Sequence, residues 1–380
     1  MSKEKVRILL LYVSDISGHR QAARAIKQVL QNSYPEVLIQ EEDLFRHGNP
    51  FIECSLNSLY YTLIRVIPWF WDIIWDSKEI YWLTHVLRTF LYYVNYHRLY
   101  QEVIKPFNPR VVICTHCLSC AISSTIKRAK KLNYLLAAIP TDFCFNPYWF
   151  YKNVDIYFLP HDELRTNFIK RGISPEKIQI TGIPISLDFC KLKQKEELKK
   201  KWGIKDNFFT VLVMGGGQGI GSMKQIILAL NEARLPLQVL VVTGINKTLK
   251  QKLQKVSSRI SFPFKILGYV DEIDELMEIS DLLISKSGGL TTAEALSKAL
   301  PMGIIDSIPG QERRNKQLLL KKNLAFELTD KKDIIDLIEK LSDHFFNRED
   351  WEKRAKNLAY PEASQGIVHR VMELTTPKGN

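Results

Sequence analysis

The chain has no uninterrupted run of about twenty apolar residues, the length a membrane-spanning helix needs. The nearest candidate, Leu59 to Trp75, is broken by Arg65, Pro68 and Asp72. A secretory leader is not expected either. Met1 to Arg7 leads straight into a short apolar strand, with no small-residue cleavage site after it. Cysteine is sparse, six in 380 residues, which in so long an intracellular chain does not suggest a disulfide framework. There is no low-complexity block and no internal repeat. Taken together, these absences leave a cytoplasmic globular chain that is at most peripheral to a membrane.

What is present is an α/β pattern on a basic background. The hydrophobic share is 46%, the charged share 25%, and the formal net charge is +12. Such a charge attracts an anionic lipid surface, nucleic acid or a phosphorylated substrate, and does not choose among them. At 380 residues the chain suits two domains. In the first half, strands are expected at Ile8–Val13, Glu36–Gln40, Arg110–Cys114, Tyr134–Ile139 and Val154–Leu159, with a helix beginning near His19. Between the second and third lies a stretch dense in Trp, Tyr and Phe, about Phe51 to Tyr100. It reads as buried helices or as an amphipathic surface entering lipid headgroups. The charged stretch Lys191–Trp202 marks a boundary between domains of residues 1–190 and 191–380, with the last helix free to pack back on the first. The second half repeats the rhythm with strands at Thr210–Met214, Gln238–Val242, Phe264–Leu267 and Leu282–Ser285. Helices are expected there at Met223–Ala233, Thr292–Leu300, Asp350–Leu358 and Gly366–Leu374.

Cys114, Cys117 and Cys120, with His116 among them, could suggest a metal site. They follow a buried strand and lead into a helix, so small-residue packing is the favoured reading. No metal site is expected.

Two glycine-centred turns carry the strongest chemical signal. Gly215-Gly216-Gly217-Gln218-Gly219-Ile220-Gly221 follows a strand and precedes a helix. Bare backbone there lets N–H groups approach a phosphate at a helix start. No Gly-Lys-Ser/Thr follows and the register misses G-x-G-x-x-G, which disfavours an ATPase or a dehydrogenase. A merely tight turn is the alternative. The second turn, Ser285-Lys286-Ser287-Gly288-Gly289-Leu290-Thr291, leads into a helix expected from about Thr291, with Glu294 one turn inside. Glu294 reads either as an acceptor for ribose hydroxyls or as a capping-box partner of Thr291. Downstream, Ile308-Pro309-Gly310-Gln311-Glu312 and Asn315 offer polar side chains for a sugar, or a plain turn into a solvated helix.

In order and spacing these motifs, with Val241-Val242-Thr243-Gly244-Ile245-Asn246, Ser17-Gly18-His19-Arg20, Pro140-Thr141-Asp142-Phe143 and Thr181-Gly182-Ile183-Pro184, resemble the diacylglycerol glycosyltransferases. That family includes monogalactosyldiacylglycerol synthases and is related to the peptidoglycan lipid-intermediate N-acetylglucosaminyltransferase. The resemblance spans most of the chain. It implies an α/β GT-B fold, two Rossmann-like domains facing a central cleft, and inverting transfer from a UDP-sugar to a lipid, with no cofactor, on the inner face of the cell membrane. It places Gly215, Gly216, Gly217, Gly219, Ser287, Gly288, Gly289, Leu290 and Thr291 at the diphosphate and Glu294 at the ribose. Gly244 and Asn246 would shape the nucleotide pocket, Tyr269 and Val270 lie near the base, and Gln311 and Glu312 face the sugar. Gly18, Arg20 and Phe143 fall on the acceptor side. Two departures stand out: Asp15-Ile16-Ser17 replaces a fuller glycine loop, and Ser307 stands where relatives tend to have proline.

Inverting transfer needs a base for the acceptor hydroxyl. His19 is the first candidate, since neutral imidazole is available near pH 7; Asp142 is the second, as base or as the group orienting His19. Competing functions are N-acetylglucosamine transfer to a polyprenyl-linked lipid, a UDP-sugar 2-epimerase, a non-catalytic membrane scaffold, and a nucleic-acid binder. No basic stripe joins a known nucleic-acid module, so the last is not expected.

Overall fold

The computed structural model describes residues 5–48, 92, 97–219, 221–233, 235–305, 310–342 and 346–375. Apart from residues 92 and 97–100, the aromatic-rich stretch and its expected amphipathic surface lie outside the described residues. The chain divides into two compact units. The first is Met1–Leu187 with Pro309–Gln311 and Glu362–Asn380; the second is Asp188–Ile308 with Glu312–Pro361.

In the first unit six parallel strands run in the order β2-β1-β3-β4-β5-β6. They are β1 (Arg7–Tyr12), β2 (Leu38–Asp43), β3 (Val111–Cys114), β4 (Leu135–Ala138), β5 (Ile156–Leu159) and β6 (Ile178–Ile180). A strand covered by helices on both faces must be apolar at every position rather than at alternate ones. Ile8-Leu9-Leu10-Leu11 meets that demand. Leu9 and Leu11 join one core cluster, while Ile8, Leu10 and Tyr12 join another, because successive side chains leave the strand on opposite faces. The second cluster also takes Ala23, Ile26, Val29 and Leu30 of α1 (Gly18–Ser33), and Ile367, Val368 and Val371 of the last helix, Ala363–Thr375. Thus the chain's final helix helps close the first sheet.

The second unit repeats the plan, with strand order β12-β11-β10-β7-β8-β9. These strands are β7 (Phe209–Met214), β8 (Leu237–Val242), β9 (Phe264–Leu267), β10 (Leu282–Ser285), β11 (Met302–Ile304) and β12 (Phe326–Glu327). All its neighbouring strands pair parallel. In both sheets the first strand of the unit lies inside the sheet, and the chain reverses direction there. In open α/β sheets of this kind, ligand sites form beyond the carboxyl ends of strands at such a reversal. The turns after β1, β7 and β10 are in that position.

Several expected boundaries move. The second strand starts at Leu38 rather than Glu36, because Tyr34 and Val37 form the turn after α1, with Val37 N–H bonded to the Tyr34 carbonyl at 3.0 Å. The helix expected from Thr292 begins three residues earlier, at Gly289, and Met223–Ala233 ends at Leu230. Strands β6, β11 and β12 were not anticipated.

Candidate active site

In the first unit the β1–α1 turn is built by side chains instead of glycines. Ser17 caps α1, its Oγ accepting the Arg20 N–H at 3.3 Å. The same hydroxyl reaches the Val13 and Ser14 carbonyls, each at 2.7 Å. Asp15 ties the turn to its surroundings, accepting from Arg46 at 2.6 Å and from Tyr12 at 3.1 Å. The Arg46 hydrogen bond is the main reason its carboxyl is held below the usual range. Arg20 donates to the Asp15 carbonyl at 3.0 Å, so its guanidinium braces the loop. Gly18, the first residue of α1, is exposed.

His19 sits in the first turn of α1 and is held from two other strand ends. Its Nδ1 lies 2.9 Å from the Thr115 carbonyl and 2.9 Å from the Thr141 hydroxyl. Thr115 returns the contact, donating its hydroxyl to the His19 carbonyl at 2.9 Å. The His116 ring stands edge-on at 4.5 Å. Burial pushes the imidazole down to about 4, against the opposing hydrogen bond it donates to the Thr115 carbonyl. The ring is therefore neutral near pH 7.

Asp142 follows Thr141 directly, and its charge, after burial, raises the Cys117 and Cys144 thiols. Phe143 is 2% exposed, stacked on the His161 ring at 6.1 Å, with its carbonyl accepting from His161 Nε2 at 2.8 Å. Its side chain belongs to the packing of this unit and presents no surface. Of the cysteine run, Cys114 closes β3 and Cys117 opens α2 (Cys117–Ala129). Cys114 and Cys120 are fully buried, and Cys114 Sγ lies 3.7 Å from Ser123 Oγ. His116 serves as the N-cap of α2, its Nδ1 accepting the Leu118 N–H at 3.1 Å.

In the second unit the glycine-rich turn after β7 leads into α3 (Met223–Leu230) and packs against the turn after β8. Gly219 and Gly244 both have positive φ, +60° and +58°. A Cβ on Gly219 would lie 2.1 Å from the Thr243 carbonyl oxygen, and one on Gly244 would lie 2.1 Å from that of Gly217. Ile245 N–H bonds the Gly217 carbonyl at 3.0 Å. Asn246 caps α4 (Lys247–Val256) through Leu249 N–H at 2.9 Å, and its amide donates to the Gly219 carbonyl at 3.1 Å. These glycines are accounted for by backbone meeting backbone. Tyr269 is exposed and Val270 partly so, just beyond β9.

The turn after β10 is different. Ser287 is fully buried, and its hydroxyl donates to the Glu312 carbonyl at 2.6 Å, while its own carbonyl accepts from Asn315 at 3.0 Å. Its side chain is thus committed within the protein. Gly288 is the N-cap of α5 (Gly289–Ser297), with extended backbone and no side-chain cap. A Cβ there would meet nothing within 4 Å. The first intrahelical bond is Thr292 N–H to the Gly288 carbonyl at 2.9 Å. The N–H groups of Gly289, Leu290 and Thr291 precede it and, as at any helix start, have no acceptor inside the helix. Because α5 begins at Gly289, Thr291 is not its N-cap, and the capping-box reading of Glu294 falls. The Glu294 carboxyl accepts no hydrogen bond and makes no ion pair among the described residues. Burial, helped by the Asp274 charge, raises it to about 8.

Lys286 pairs with Glu312 at 2.6 Å, and its Cε lies 3.5 Å from a Cβ built on Gly216. Glu312, in the first turn of α6 (Gln311–Lys321), is therefore engaged with Lys286 within the second unit. Gln311 groups with the first unit, where its carbonyl lies 3.7 Å from Cys144 Sγ.

The monogalactosyldiacylglycerol (MGDG) synthase family model matches residues 19–185. The glycosyltransferase family 28 C-terminal domain model matches residues 210–370. The chain thus carries an MGDG synthase domain followed by a glycosyltransferase family 28 C-terminal domain. A processive diacylglycerol beta-glucosyltransferase of Bacillus pumilus is 26% identical over 369 residues, covering 97% of this chain and 94% of its own. The crystal structure of Acinetobacter baumannii MurG aligns with a TM-score of 0.60 at 11% identity, covering 97% of this chain and 99% of its own. A UDP-GlcNAc 2-epimerase from Neisseria meningitidis, bound to UDP-GlcNAc, aligns with a TM-score of 0.57 at 16% identity, covering 97% and 100%. The fold is GT-B, the two parallel sheets each flanked by helices.

The structure gives roles to three side chains at these turns that the motifs leave without one. Thr115 and Thr141 hold His19, and Lys286 joins two loops of the second unit. Both threonines stand just past the carboxyl ends of adjacent strands, β3 and β4, and that placement was the available signal.

Proposed function

We propose that the chain transfers a hexose from a UDP-sugar to 1,2-diacylglycerol with inversion, in membrane glycolipid synthesis. One observation carries the reading. The start of α5 has no side-chain cap, a Cβ on Gly288 would meet nothing within 4 Å among the described residues, and the Glu294 carboxyl stands one turn inside without a partner among them. N–H groups with no acceptor inside the helix, at the positive end of the helix dipole, suit a diphosphate, and a carboxyl group suits paired ribose hydroxyls. The names of the relatives support diacylglycerol as acceptor.

In the reaction the acceptor oxygen attacks the anomeric carbon while its bond to the diphosphate oxygen breaks. His19, neutral near pH 7, takes the hydroxyl proton, and the α5 amides stabilise charge gathering on the leaving UDP. No cofactor beyond the donor enters this scheme. Among the described residues no helix is long and apolar enough to cross a membrane. The formal charge of +12 favours docking on anionic lipid at the inner face of the cell membrane.

The test offers UDP-glucose, UDP-galactose and UDP-N-acetylglucosamine to vesicles with and without diacylglycerol, and weighs the lipid product by mass spectrometry. A hexosyl-diacylglycerol is expected from one of the first two donors. Epimerised sugar released without acceptor, or transfer only to a polyprenyl-linked lipid, would overturn the proposal.

A further inference from the structure

We infer that Thr141 is a positioning residue that, with the Thr115 carbonyl, holds His19 as the tautomer with its proton on Nδ1 and its lone pair on Nε2. A backbone carbonyl can only accept, so the 2.9 Å contact from Thr115 to Nδ1 requires a proton on that nitrogen. The Thr141 hydroxyl, also 2.9 Å from Nδ1, then accepts from the same N–H. Its own hydrogen is directed to the Thr115 carbonyl, 3.4 Å away. The three groups close a small ring of hydrogen bonds with one consistent set of directions.

The ring is anchored from both sides. Thr115 is fully buried and Thr141 is 5% exposed. Thr115 also donates to the His19 main chain at 2.9 Å, which fixes the start of α1 against the end of β3. The titratable neighbour packed on the imidazole is His116, edge-on at 4.5 Å, and burial keeps it uncharged near neutral pH. Water hydrogen-bonds either imidazole nitrogen equally well, so an unheld ring would divide its population between tautomers. Here Nε2 stays bare. It has no hydrogen bond among the described residues, which is the state a proton acceptor needs. This inference rests on the assignment of His19 as the base, since positioning matters to turnover only if that ring takes the proton.

The experiment combines kinetics with nitrogen NMR of histidine-labelled protein, using the full chain. In the parent, His19 is expected to show a protonated Nδ1 and an unprotonated Nε2 at pH 7. Thr141→Val keeps the shape and removes the hydroxyl. It should lower kcat about tenfold, the scale of one lost hydrogen bond acting in the transition state, with KM for the UDP-sugar within about twofold of the parent. Thr141→Ser should restore kcat to within about twofold. A parental ring protonated on Nε2 would overturn the inference, as would parental kcat in Thr141→Val or failure of Thr141→Ser to rescue. The NMR arm on the parent decides even if Thr141→Val does not fold. His19→Ala separates the two levels. Near-parental turnover there removes the base assignment and the catalytic meaning of Thr141 together. A dead His19→Ala beside an undiminished Thr141→Val removes only the positioning role.

Discussion

The second unit contains two glycine-rich turns that look alike in sequence and differ in what their glycines are for. Gly219, in the turn after β7, and Gly244, in the turn after β8, have left-handed backbone and lie against carbonyl oxygens of each other's loops. The protein itself fills the space that a side chain would need. In the turn after β10, Gly288 has ordinary backbone, and a Cβ on it would meet nothing within 4 Å among the described residues. Packing gives no reason for a missing side chain there, and the N–H groups that follow have no acceptor inside the helix. A glycine explained by its own fold says little about a ligand; one left unexplained says more. The contrast ranks the second turn above the first as a diphosphate site, although the first has more glycines.

Substitutions can break or sharpen that contrast. Gly219→Ala and Gly244→Ala should each destabilise the second unit by about 3 kcal/mol or more, since strain at positive φ adds to a backbone collision; thermal melts measure this. Glu294→Gln should weaken UDP binding on the order of thirtyfold above about pH 8, where the carboxyl is ionised and its charged hydrogen bonds to ribose are lost, as titration calorimetry would report. Asn246→Ala should cost about 1.5 kcal/mol through the lost cap of α4 and the lost bond to Gly219, with UDP affinity unchanged. Gly288→Ala should leave stability within about 1 kcal/mol of the parent, yet lower UDP affinity about tenfold by crowding the amides. The reverse pattern, with Gly219→Ala folding normally and Gly288→Ala melting early, would undo the comparison.

A smaller effect follows from the partly buried Glu294. Its carboxyl ionises at about 8 in the folded protein, against an ordinary 4.5. Between those values the native state retains a proton that the unfolded chain has released, so stability falls as pH rises through that window. Below it the penalty is absent. Glu294→Gln should flatten this slope in melts recorded from about pH 5 to pH 8.

Much of the architecture could be read from the residues because buried parallel strands are continuous apolar runs. Ile8-Leu9-Leu10-Leu11, Val111-Val112-Ile113 and Val239-Leu240-Val241-Val242 announce themselves. Strands β6, β11 and β12 hold three, three and two residues, too few to form a pattern. The start of α5 is hidden in the sequence because glycine reads as a breaker, whereas Gly289 here is the first helical residue. The site was legible in its motifs and not in its roles. Nothing local to Gly219 reveals the Thr243 carbonyl that excludes a side chain. Likewise the hold of Thr115 and Thr141 on His19 joins residues 96 and 122 positions apart. Sequence could flag Phe143 only by its motif, and burial against His161 shows it as core.

Amide NMR of the labelled protein during titration with UDP, and separately with uridine, tests the diphosphate assignment most directly. The Gly289, Leu290 and Thr291 signals should shift saturably with UDP and far less with uridine, while the Gly219 and Gly244 signals move little. Unchanged α5 signals at saturating UDP, or a response confined to the turn after β7, would contradict it.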